Sequence, residues 1–346
     1  MTPAGRVILV VAAIAAAVIP LPSRLVETWY SRLLYPALQH VVTPATNLVP
    51  VALLDVTAAA VLAVLAVVFV RRVRSRGWMR AMTSTVATVV TLTAALVLIF
   101  FFAWGLNYRR QPLEEKLEYD ASRVTRERAI ALGTHAVRQV NALYPEAHNP
   151  NAPSSPELHL AFDAAQRLLG SARTAVPGVP KRSVLERYFR AAAVDGMTDP
   201  FFLEIVINPD TLPFERPFVL AHEWAHLAGY ANEAEANFVA WLATTQGNAM
   251  ARYSGWLAIF EHVAASLPRA DRVALTAQLA DGPRRDLQAS AARYARSSPV
   301  IRDTARDAYD AYLRANRVRE GVANYSEVVR LMLGAGLEEG RRPTVR

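Results

Sequence analysis

Three apolar stretches crowd into the first 106 residues, and no other feature constrains the fold of this 346-residue chain as strongly. They cover about 5–22, 49–70 and 84–105. An α-helix rises 1.5 Å per residue, so roughly 20 apolar residues cross the hydrocarbon core of a bilayer. The second and third stretches reach that length unaided. The first is shorter, and Arg6 ahead of an apolar run also fits a signal peptide. No small-x-small cleavage site leads into a polar start, so a retained span is expected. A bilayer core offers no water to satisfy backbone groups, so each stretch must be helical.

The loop between the second and third stretches carries Arg71, Arg72, Arg74, Arg76 and Arg80. Clustered arginine between two spans marks the cytoplasmic side. The N-terminus is then inside, and everything after Leu106 lies outside the cytoplasm. Arg109 and Arg110 on the far side run against the rule. The net charge of +8 does not call for nucleic acid, because this loop supplies a large share of it. Zinc-finger spacing, basic heptads and aromatic RNA-binding motifs are all missing, so no nucleic-acid partner is expected.

Between the first two spans, Leu25, Trp29, Leu33, Leu34 and Ala37 recur at helical spacing among Arg24, Glu27 and Arg32. An interfacial amphipathic helix is expected over 23–47, anchored by Trp29, Tyr30 and Tyr35. An ordinary loop is the alternative. After Leu113 the pattern turns to that of a soluble helical protein. Helices are expected at about 121–143, 156–174, 181–193, 214–228, 233–246, 250–266, 270–281, 286–315 and 323–335, with a Pro/Asn/Ser-rich loop over 145–156. Phe201–Asn208 is β-branched and aromatic between two prolines and reads as a strand, with His159–Phe162 as a weak partner. That strand could be an edge for binding an extended peptide or a plain core strand with Glu204 toward solvent. The domains are then a membrane region over 1–106, a soluble domain over 107–338 and a disordered tail over 339–346.

The chemistry concentrates in one helix. Pro217 suits a first helical turn and Gly229 a left-handed helix end, with Leu220, Trp224 and Leu227 forming a buried face between them. His222 and His226 lie four residues apart, hence on one face one turn apart. That spacing lets two imidazole nitrogens reach a single tetrahedral ion, and the adjacent Glu223 can act as general base. Cysteine is absent, so zinc would be held by histidine and carboxylate alone. A third ligand must follow. Asn232 replaces the histidine that some H-E-x-x-H enzymes carry there. Asn232 and Glu235 have the spacing of a capping box, which leaves Glu233 as the preferred ligand and Glu235 as the alternative. Asn237, one turn beyond Glu233, could hold a ligand in place. Tyr230, Arg252, Tyr253 and Tyr325 are candidate donors to an oxyanion, with no basis for choosing among them.

These residues resemble a known family. Trp29-Tyr30-Ser31-Arg32, Tyr35-Pro36, Trp104-Gly105-Leu106-Asn107-Tyr108, Pro112-Leu113, His222-Glu223-x-x-His226-x-x-Gly229-Tyr230, Glu233-x-Glu235-Ala236-Asn237-Phe238, Arg252-Tyr253-Ser254-Gly255 and Tyr325-Ser326-Glu327-Val328-Val329 are together similar to the bacterial membrane proteins grouped as domain of unknown function 3810. The resemblance implies a zinc metallopeptidase with several N-terminal spans and no assigned substrate. The Glu-x-x-Ala-Asn element also looks like the third-ligand element of other H-E-x-x-H peptidases, which usually place it farther downstream.

The expectation is therefore a mainly α chain, with N-terminal transmembrane helices ahead of a helical zincin-like domain holding a small β element. His222, His226 and Glu233 would bind Zn2+, with Glu223 catalytic. The partners would be the lipid bilayer and an unidentified peptide or protein of the cell envelope. The rival expectation is a non-catalytic envelope scaffold or sensor with a structural or degenerate metal site.

Overall fold

The apolar stretches become helices that bury almost nothing of themselves. In the computed structural model, which describes residues 1–151, 158–316, 327–337 and 343–345, α1 (Pro3–Val18) lies along α5 (Trp78–Ala103), the last helix of the membrane region. The intervening helix α4 (Leu53–Arg76) has no buried residue, and Gly77 at φ 78° turns it into α5. Both α4 and α5 are long and apolar enough to cross a membrane. The first of the three expected spans is only 16 residues long and bends by 106° into Ser23–Asn47.

That second segment holds α2 (Ser23–Leu25), a π-helical stretch (Val26–Leu34) and α3 (Tyr35–Asn47). Its faces differ from the expected ones. Leu25, Trp29 and Leu33 face outward, but Tyr30 and Tyr35 are buried and do not anchor an interface. Tyr30 donates to the Phe102 carbonyl at 2.9 Å, and Tyr35 to the Leu227 carbonyl at 2.7 Å. The wider π turn, with bonds five residues back, places residues 26, 30–31 and 35 on one inner face.

The rest is helical: α6 (Leu113–Lys116), α7 (Arg126–Ala147), α8 (Leu158–Leu168), α9 (Glu186–Ala192), α10 (Arg216–Leu227), α11 (Glu233–Thr244), α12 (Ala249–Ser266), α13 (Arg269–Thr276), α14 (Asp281–Ala295), α15 (Pro299–Ala315) and α16 (Glu327–Gly334). At the centre is α11, packed on α8, α10, α12 and α16. The core runs without a break from Val26, Tyr30, Tyr35 and Trp104 through Leu132, Phe162, Ala225 and Phe238 to Val263 and Met332. The domain boundary expected at 106/107 therefore falls inside one core.

Among the described residues, three short strands complete the fold: β1 (Pro180–Lys181), β2 (Gly196–Asp199) and β3 (Glu204–Ile207), in the order β1-β3-β2. The pairing is parallel for β1 with β3 and antiparallel for β2 with β3, with Thr198 opposite Ile205. The expected strand is thus β3, and it is central. Its Glu204 is fully buried and accepts the Leu54 N–H at 3.2 Å rather than facing solvent. The edges are β1 and β2, and 159–162 lies within α8.

Other expected boundaries shift for local reasons. The helix expected over 286–315 breaks where Ser298 caps α15 and Pro299 begins it. Pro145 lies inside α7. Part of the tail is ordered, because Thr344 accepts the Glu118 N–H at 3.0 Å and Val345 pairs with Leu117. Residues 323–326 of the last expected helix (Tyr325 among them), residues 152–156 of the expected loop and residues 339–342 and 346 of the tail lie outside the described residues.

Candidate functional site

Helix α10 ends in a Schellman turn. Gly229 takes φ 82°, its N–H bonds the His226 carbonyl, and the Tyr230 N–H reaches the Ala225 carbonyl. A side chain at 229 would also meet Asn107 Oδ1 at 3.0 Å, so only glycine suits this corner. The turn leads directly into α11, where the Asn232 side chain caps the N–H groups of Ala234 and Glu235.

This helix–turn–helix brings His222, His226 and Glu233 together, with one ligand atom from each within 4.8 Å of the others. The two Nε2 atoms stand 3.0 Å apart. Glu233 Oε2 lies 3.3 Å from His222 Nε2, and Oε1 lies 3.5 Å from His226 Nε2. Atoms held about 2.0–2.1 Å from a tetrahedral ion stand about 3.3 Å from one another, so the three spacings suit such an ion. The Nδ1 of His226 is 2.8 Å from the Tyr230 carbonyl, which favours the proton on Nδ1 and turns Nε2 inward. His222 Nδ1 is buried with no hydrogen-bond partner among the described residues.

The electrostatics favour a cation between these groups. Burial opposes ionisation of Glu233, but the two imidazoles outweigh it and hold the carboxyl well below its usual range. Burial would lower the His226 pKa, yet Glu233 raises it to about 9. A carboxylate that stabilises a charged imidazole this strongly favours other cations placed beside it.

Glu223 lies against the sheet as well as beside the histidines. It is buried beneath β2, where Thr198 donates to its Oε2 at 2.8 Å and to its carbonyl at 3.0 Å. Burial pushes its pKa up, against the pull of both histidines. A side chain at Gly196 would come within 2.5 Å of Glu223 Oε1. Helix α10 packs on both β2 and β3, and the edge strand against Glu223 is β2 rather than the expected Phe201–Asn208.

Glu235 turns away from the three. Its Oε1 accepts the Leu113 N–H at 2.6 Å rather than closing a capping box with Asn232. Asn237 is buried but has no hydrogen bond to His222, His226 or Glu233 among the described residues. None of the described tyrosine candidates donates to the site. The Tyr230 ring lies under the Arg110 guanidinium, and Tyr253 donates to Asp286 at 2.5 Å. Tyr309 of α15 is the residue that sequence reasoning missed. Its hydroxyl donates to Glu233 Oε1. It stacks on Tyr312, which meets Tyr108 edge-on. Tyr309 lies 76 positions from Glu233, and no local signal could have found it.

The C-terminal end of α10 rests on α3 and on the residues that follow α5. The Trp104 indole donates to the His226 carbonyl at 2.9 Å, Tyr35 to the Leu227 carbonyl, and Arg110 to the Gly229 carbonyl at 2.9 Å. Buried Glu27 holds Arg110 and Lys116 at 3.0 and 2.9 Å.

The family described as a protein of unknown function (DUF3810) matches residues 30–333, which takes in Tyr30, Tyr35, the whole site and nearly all of α16. The chain belongs to the DUF3810 family. No curated protein and no solved structure matches it. The matched region of this DUF3810 chain joins Tyr30 and Tyr35 to the His–Glu helix pair.

Proposed function

We propose that this chain is a membrane-anchored zinc metallopeptidase with a zincin-like site, embedded through α4 and α5 with α1 beside them. The observation that carries the reading is the convergence of His222, His226 and Glu233 at spacings suited to a tetrahedral ion, with a buried carboxylate, Glu223, one position beyond His222 on the same helix. An all-nitrogen-and-oxygen donor set fits zinc, which when bound supplies Lewis acidity to hydrolysis. The arginine-rich tip between α4 and α5 belongs in the cytoplasm, and the site outside it.

The roles of the chain's own groups follow from their places. Glu223, its pKa raised by burial, takes a proton from the attacking water and returns it to the leaving nitrogen. The water oxygen bonds the carbonyl carbon, the C–N bond breaks, and a carboxylate and an amine result. Thr198 holds the Glu223 carboxylate in position for both transfers. Tyr309 supplies an O–H donor beside the ligand carboxylate, suited to the oxygen that gains charge in the transition state. The edge strand β2 offers backbone groups for an extended peptide.

Elemental mass spectrometry on the whole chain in detergent tests the site. About one zinc per chain is expected from three such ligands, lost in Glu233→Ala and kept in Glu235→Ala. Hydrolysis of a mixed-sequence peptide library, lost in Glu223→Gln with zinc retained, tests the activity. A folded chain that takes up no zinc on reconstitution sinks the reading.

A further inference from the structure

We infer that the substrate is itself held in the membrane, and that the bond cut lies within a few residues of the outer bilayer surface. This rests on the peptidase reading and adds the substrate's class to it.

Both halves of the site are fastened to span ends at the same level. Helix α10 is fastened through Trp104, the residue immediately after α5, whose indole bonds the carbonyl of His226 and whose ring lies 6.3 Å from the imidazole. The sheet is fastened through Glu204 of β3, which accepts the N–H of Leu54 in the first turn of α4. Ala52 donates to Arg182 at 2.9 Å, and Val184 donates to Asp55 in that same turn at 2.8 Å, so the loop after β1 is held there too. Neither half can move far along the membrane normal without breaking buried contacts.

Apolar surface continues right up to these fastenings. Ile99 and Phe102 are exposed within the last turn of α5, as are Leu48 and Val51 just ahead of α4. The wall of the site that includes Tyr309 and Tyr312 rests on the same end, with Tyr312 6.3 Å from Phe100 and Tyr108 5.2 Å from Trp104. The His226 ring thus lies 6.3 Å from the ring of the first residue beyond α5, a separation close to the depth of the headgroup layer, about 5–8 Å. An extended chain climbs about 3.3–3.6 Å per residue, so a polypeptide leaving the hydrocarbon reaches the site in about three residues. A freely diffusing peptide gains nothing from this arrangement. An anchored one arrives already at the right height and at a raised effective concentration.

The test uses the whole chain in proteoliposomes, loaded with zinc, site outward. The probe is a mixed-sequence peptide library of about thirty residues, long enough when extended to reach about 100 Å from the surface. One half is linked at its C-terminus to dioleoylphosphatidylethanolamine in the same vesicles, the other half left free. Cut positions are read by mass spectrometry. In parallel, Glu223→Gln protein is photocrosslinked to uncleaved anchored probes that carry a benzophenone at increasing distances from the lipid. The expected result is cuts and crosslinks gathered within about six residues of the anchor, and cleavage at least about tenfold faster than for the free library. Cuts spread evenly along the anchored probe, at the rate of the free one, overturn the inference and leave the peptidase reading standing. No cleavage of either form removes both.

Discussion

Helices α4 and α11 draw on similar apolar residues and live in opposite surroundings. No residue of α4 is buried, whereas every residue from Ala234 to Thr244 of α11 is. A lipid-facing helix asks only that its side chains be apolar, so Val, Leu and Ala are nearly interchangeable there. A helix sealed in protein must fit each neighbour, and each polar group on it needs its own partner. Helix α11 carries Glu235, Asn237 and Thr244 in that setting, while Glu233 at its mouth faces the two histidines. Buried polar residues on a central helix thus mark where specific partners must be sought.

The comparison can be broken or sharpened at four points. The largest effect belongs to Glu223 on the neighbouring α10. Glu223→Gln is expected to lower peptide hydrolysis about 100- to 10,000-fold while metal content stays level in elemental analysis. A variant with full activity would show that Glu223 is not the general base.

The next concerns the ions that join the membrane region to the α10–α11 turn. Burial opposes the charge on Glu27, but Arg110 and Lys116 outweigh it and lower its pKa to about 2. A depressed carboxylate stabilises the fold fully above its unfolded pKa and ceases to do so as pH falls through the folded value. Unfolding free energy in detergent is therefore expected to drop by about 3 kcal/mol between roughly pH 5 and pH 2. Glu27→Gln is expected to flatten this drop, and an unchanged profile would show that the ion cluster contributes nothing.

A smaller effect is expected from Glu235→Ala, which leaves the Leu113 N–H without its acceptor. Denaturant titration should register a loss of about 1–3 kcal/mol. Zinc should remain, in contrast with Glu233→Ala. Smallest is Leu62→Val on α4, where the side chain is 67% exposed. Its stability should stay within about 0.5 kcal/mol of the parent. A larger loss would mean that another chain covers this face.

Much of the site was legible where short-range rules operate. The four-residue histidine spacing, the φ 82° corner at Gly229 and the cap at Asn232 are each local consequences of backbone geometry. What escaped depends on distant pairing. The edge strand β2 reads Gly-Met-Thr-Asp, a sequence with little strand preference, and it exists because β3 pairs with it. Tyr30 and Tyr35 were assigned to the wrong face because α-helical periodicity does not hold through a π-helical stretch. The capping box at Glu235 failed for a similar reason: Leu113, 122 positions away, offers that carboxylate a buried N–H.

The carbonyls of His226, Leu227 and Gly229, where α10 ends, take their partners Trp104, Tyr35 and Arg110 from the N-terminal part of the chain that holds the two membrane-length helices. Biogenesis and activation are thereby expected to be one event. On the proposed reading, a polypeptide not yet inserted lacks the framework on which its histidines line up. Chains translated without membranes should accordingly emerge metal-free.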